Sequence, residues 1–89
     1  MIELFVKNAP VRLAEAREAL DCGDAAGVRA ALHALKSSAG QLGAVTVHQA
    51  CISGEELASR GELVPCAVHV TRIEADLPPA CRELDALRT

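Results

Sequence analysis

The sequence predicts an all-α protein, an antiparallel up-and-down four-helix bundle with a short extra N-terminal helix. Three observations carry that prediction. Apolar residues recur three and four positions apart in successive segments, the period of a helix with one buried face. These segments end at glycine, proline or aspartate, which stop or cap helices. No stretch alternates apolar and polar as a half-buried strand does, and no internal repeat or low-complexity linker divides the chain. At 89 residues the chain is expected to form one domain, 1–89.

Taken in order, Ile2-Glu3-Leu4-Phe5-Val6-Lys7-Asn8 reads as a short helical lid. Asn8 is a cap and Pro10 suits a first turn, so a new helix is expected to begin there, with apolar marks at Leu13, Ala16 and Leu20. It ends at Asp21-Cys22-Gly23, with Gly23 as a left-handed terminator, and Asp24 caps the next helix, predicted over 25–42. Inside that second helix Gly27 costs about 1 kcal/mol relative to alanine. A third helix over 44–60 carries the seam Ala44, Val47, Cys51, Gly54 and Leu57 and stops at Arg60-Gly61. After a loop over 61–65, Pro65 starts the fourth helix, with the seam Val70, Ile73, Leu77, Cys81, Leu84 and Leu87. Pro78-Pro79 predicts a kink or short break near Asp76, and the seam's unbroken register across them argues for one bent helix. Four amphipathic segments joined by short loops can bury their faces only against each other.

Composition narrows the function. Hydrophobic residues make up 51 %, but Phe5 is the one aromatic, so the core is thin, built of interdigitating Ala, Val and Leu, and large ligand cavities are not expected. Nine basic and twelve acidic residues give a net charge of −3 with no basic patch, which argues against nucleic acid as a partner. No apolar run nears the ~20 residues needed to span a bilayer, and no signal peptide opens the chain; a cytoplasmic location with no membrane partner is expected. Cys22, Cys51, Cys66 and Cys81 lie 29, 15 and 15 residues apart, not at zinc-site spacing, and read as four separate thiols.

The chemistry concentrates in the second helix. Val28, Leu32, Leu35, Ala39 and Leu42, spaced 4, 3, 4 and 3, form its core seam and leave His33 at the shoulder of the buried face. At ~100° per residue, Lys36, Ser37 and Gly40 share the strip of His33. A neutral imidazole nitrogen is a nucleophile that can bond to phosphorus, and an ammonium one turn along can pair with phosphoryl oxygens. Gly40 and Gly43 loosen the helix end and let another protein's backbone come close to His33. His48 and His69 lack such company and read as packing residues. His33 and His48 are 15 residues apart on different predicted helices without a Glu-x-x-His spacing, so a metal site is not supported.

The run His33-x-x-Lys36-Ser37-Ser38-Ala39-x-x-Leu42-Gly43-Ala44 resembles the signature of histidine-containing phosphotransfer (HPt) domains of multistep two-component phosphorelays. That resemblance spans nearly the whole chain. It implies a helical bundle with His33 as phospho-acceptor, Lys36 as its electrostatic partner and Gly43 as the glycine of the motif; Ser37, on the same strip, is expected to add a hydrogen-bond donor. Cys51 and Glu55 match a cysteine and an acidic position on the family's next helix. Ser37 departs from the more frequent glycine, and Gly54 stands where leucine is more usual.

The resemblance further implies a phosphocarrier: His33 accepts a phosphoryl group from the aspartate of one receiver domain and passes it to another. The expected partners are response-regulator receiver domains or a hybrid histidine kinase, docked on Arg29, Ala30, Gly40, Gln41 and Gly43 around the histidine. No cofactor is expected on this chain, Mg²⁺ being held by the receiver, and the chain is expected to be a monomer. It lacks a Gly-rich phosphate loop and a Walker lysine, so it is not expected to phosphorylate itself from ATP. An enzyme using His33 as base for Cys51 would want an oxyanion donor set and a pocket that the sequence does not offer. The alternative is an unphosphorylated helical adaptor or inhibitor that binds a receiver or kinase; such a chain would be expected to have lost His33 or Lys36, and both are present.

Overall fold

The computed structural model describes residues 2–42 and 44–87. Among them there are four helices and no strand: α1 Ile2–Asp21, α2 Ala25–Leu42, α3 Val45–Ser59 and α4 Leu63–Leu87. Each helix packs on its chain neighbours, and α4 closes back on α1, so the spatial order is α1-α2-α3-α4. The 25 residues of α4 rise roughly 37 Å, nearly the 41 Å long axis of a body only 19 Å across.

The N-terminal segment is not a separate lid. Ile2–Asp21 is one helix with Pro10 inside it, and residues 2–8 are its first two turns. Phe5, Ala9, Leu13 and Ala16 are all buried, a stripe that runs straight past the proline, while Pro10 itself is exposed. A single lost backbone hydrogen bond is outweighed when both flanking turns bury the same face. In α4 the helix likewise continues through Pro78 and Pro79, so the shared register, and not the local breaking tendency, decides. That helix also begins earlier than expected. Cys66 N–H bonds the carbonyl of Glu62 at 3.2 Å, which puts Pro65 at the third helical position, where its missing N–H would have had no intrahelical partner.

The turns follow their residues. Gly23 has φ +73° and Gly61 φ +75°, and each closes a helix with a pair of bonds from the two residues beyond its end: Gly23 N–H to Leu20 and Asp24 N–H to Ala19, Gly61 N–H to Ala58 and Glu62 N–H to Leu57. Asp24 then caps α2, its Oδ1 accepting from Gly27 N–H at 3.0 Å. Gly27 offsets its propensity cost with space: a Cβ there would lie 2.5 Å from the Asp24 carboxylate and 3.0 Å from Ala19 of α1.

Leu32, Leu35, Ile73 and Leu77 are the largest of the fully buried side chains, joined by Val28, Val47, Val70, Cys51 and Cys66, with Phe5 also in the core. Ala50 and Ala58 of α3 are buried as well, in addition to the expected seam, and Leu57 packs at its margin. Among the described residues no polar or charged residue is buried. Arg17 of α1 grips Glu74 of α4 with two bonds of 2.9 and 2.7 Å, and its Nη2 also reaches Thr71 at 3.1 Å. The side chains of Leu42 and Leu87, the last seam positions of their helices, lie outside what is described.

Candidate functional site

Burial of Val28, Leu32, Leu35 and Ala39 fixes the rotation of α2 and turns His33, beside Leu32, to the edge that faces α3. The two helices come close there. A Cβ on Gly54 would stand 2.9 Å from Leu32 Cδ1, so the glycine lets α3 press against the α2 core. Cys66 of α4 donates its S–H to the Gly54 carbonyl at 3.3 Å, which ties a third helix to the same point. The next residue, Glu55, is thereby carried to the strip of His33 and Lys36.

Glu55 divides its carboxylate between them. Oε2 lies 2.8 Å from His33 Nδ1 and Oε1 lies 2.7 Å from Lys36 Nζ. An ionised carboxylate only accepts hydrogen bonds, so the bond to Oε2 assigns the ring proton to Nδ1. Burial pushes the Glu55 carboxyl up, but the hydrogen bonds from Lys36 and His33, with their charges, outweigh it and hold it below the usual carboxylate range. Glu55 is largely covered, its side chain 16 % exposed; Lys36 is 27 % exposed and His33 62 %. The ring is thus gripped at one nitrogen, and Nε2 forms no hydrogen bond within the described chain.

His48 of α3 supports this arrangement from behind. Its Nδ1–H donates to the Lys36 carbonyl at 3.1 Å, and its ring rests on Gly40, 3.0 Å from where a Cβ would be. The space left by Gly40 therefore serves the chain's own α2–α3 contact, although Gly40 remains exposed. Around His33, Arg29, Ala30, Ser37 and Gln41 are exposed on α2, and Ser38 turns its hydroxyl back to the Ala34 carbonyl at 3.4 Å. Gly43 lies outside the described residues.

The sequence placed Glu55 only through the family pattern. Neither its bond to His33 nor the bond of His48 to the Lys36 backbone has a local signal, because each joins residues on two helices. Cys51, one turn before Glu55, is buried; desolvation first, then the nearby Glu55 charge, push its thiol up to about 12, with Lys36 opposing. A thiol so held is not a nucleophile at neutral pH. Among the described residues no group of three or more His, Cys, Asp or Glu side chains could hold a metal ion, and no helix is long and apolar enough to cross a membrane.

Neither a curated protein nor a solved structure matches this chain. One protein family does, the Hpt domain, whose sequence model matches residues 1–88. With a four-helix body, an exposed histidine backed by a carboxylate and a lysine, and that match over essentially its whole length, the chain belongs to the Hpt domain family, whose members are phosphocarriers of phosphorelays without kinase activity of their own.

Proposed function

We propose that this domain carries a phosphoryl group on His33 between receiver domains. The observation that supports it most is the ring held by Glu55 at Nδ1 with Nε2 unengaged on an exposed side chain. In the forward step the Nε2 lone pair attacks the phosphorus of a receiver's aspartyl phosphate. The P–N bond forms, the P–O bond breaks, and the aspartate leaves as carboxylate. No proton has to move, because the Nδ1 proton stays on the bond to Glu55, which stabilises the cationic ring that results. Return of the group to a second receiver reverses these bonds.

Lys36 offsets the negative charge of Glu55 and offers an ammonium to the incoming phosphoryl oxygens. Ser37, exposed on the same strip, is a hydroxyl donor at its margin, and Arg29, one turn before His33, adds a second cation to the docking face with Ala30, Gly40, Gln41 and Gly43. Mg²⁺ belongs to the receiver in this reading. The domain acts as a cytoplasmic monomer with its docking face open.

The test is phosphorylation of the purified domain by phosphorylated receiver domains, with His33→Gln and Lys36→Ala beside it. Label that is lost in acid, survives base and vanishes in His33→Gln is expected, with slower but measurable transfer in Lys36→Ala. Helical circular dichroism should be unchanged, since His33 is exposed and is not a member of the core. Label retained in His33→Gln would overturn the assignment, and binding without any label would favour an adaptor.

A further inference from the structure

The α1–α4 side of the bundle, opposite the helix pair that holds His33, is cut by an open groove of about 610 Å³. Its floor is Pro10, Leu13 and Ala14 from α1 with Leu77, Pro78 and Cys81 from α4. Between Pro10 and Asp21, which bound it on α1, a helix rises roughly 17 Å, about three helical turns. Its walls are two helices, so no free strand edge is available to an extended peptide.

The rim has a sign. Arg17 and Glu74 cross the middle of the groove but neutralise each other. Glu18 and Asp21, also lining it, are exposed and make no salt bridge among the described residues, although the charge of Asp21 is felt by Arg17. Pro78 brings no N–H to the carbonyl of Glu74, so that oxygen lacks its usual i+4 donor. An apolar floor with carboxylates at one end favours a ligand that is apolar on one face and cationic at its edge, and disfavours nucleic acid or an acidic segment.

We infer that this groove receives one amphipathic helix of a partner protein, its apolar face on Leu13, Leu77 and Cys81 and its Lys or Arg residues against Glu18 and Asp21. The surface is separate from His33, so such a partner and a receiver could be bound together.

The experiment titrates the ¹⁵N-labelled chain with a synthetic 14-residue Leu/Lys amphipathic helix and with its Leu/Glu counterpart, followed by two-dimensional NMR. Saturable shifts confined to amides of residues 11–22 and 74–82 are expected with Leu/Lys. The Glu18→Lys/Asp21→Lys chain should bind it about tenfold more weakly, the worth of two surface charge contacts, and should bind Leu/Glu better than the native chain does. Ala14→Trp, which fills the groove from an exposed position, should abolish binding with helical content intact. Absence of saturable binding, shifts spread over the His33 face, or equal affinity for the acidic peptide would each overturn the inference. So would self-association that shifts the groove amides without peptide, since a second copy would then be the occupant.

Discussion

Glu55→Gln keeps the shape of the side chain that joins His33 to Lys36 and removes its charge. The amide offers one accepting oxygen and one donating NH₂ where the carboxylate offers two acceptors. If the oxygen faces Lys36, the NH₂ faces His33 Nδ1, and the ring proton must move to Nε2, blocking the nucleophile. If the oxygen faces His33, the NH₂ meets the ammonium and Lys36 leaves. Either way one of the two bonds to a charged carboxylate, of 2.8 and 2.7 Å, is lost or reversed. Such a bond contributes about 1.5–3 kcal/mol, so phosphoryl uptake should slow by about 10- to 150-fold. The assay is the rate of labelling by phosphoramidate, a small donor that needs no docking, together with the ¹⁵N shifts of the His33 ring. The native ring should be in the Nδ1–H form and the variant should lose that preference. A variant with native rate and native tautomer would refute the role given to Glu55.

Leu32→Ala should lower stability in urea by about 2–5 kcal/mol, since Leu32 is fully buried and meets α3 at Gly54. Gly54→Ala should cost about 1–3 kcal/mol by overpacking the same contact, read in the same titration. Acid should weaken the fold through Glu55 and Glu74, whose carboxyls the fold holds low. A depressed folded pKa stabilises above the unfolded value of ~4.3 and is lost as pH falls through the lower folded one; the urea midpoint should therefore drop below about pH 4.3, less steeply in Glu55→Gln. Native alkylation with iodoacetamide near pH 8 should modify exposed Cys22 and spare buried Cys51, whose thiol is pushed up to about 12, until the chain is unfolded.

Much of this fold is legible because its signals are local. The start of α2 follows from Gly23 and Asp24, one supplying a left-handed turn and the other a carboxylate for Gly27 N–H. The reading of Pro10 as a helix start fails for the opposite reason: whether a proline ends a helix depends on what the turns on both sides bury, and Phe5 and Leu13 meet the same core. The same holds for the glycines. Gly27 and Gly54 look like weaknesses along the chain and are contact points across it, against Ala19 and Leu32. At the site, His33 and Lys36 stand one turn apart and were visible together, whereas Glu55 is 22 residues from His33 and only packing of α3 on α2 could pair them.

One carboxylate serving two bases also makes them rivals. In the proposed transfer, a phosphoryl oxygen that draws the Lys36 ammonium toward itself would free Glu55 to bear more fully on the Nδ1 proton and so enrich the electron density of the ring. By reciprocity, a ring made cationic would tighten its claim on Glu55 and loosen Lys36. Capture and retention of the cargo would then be two readings of a single equilibrium, held in one side chain.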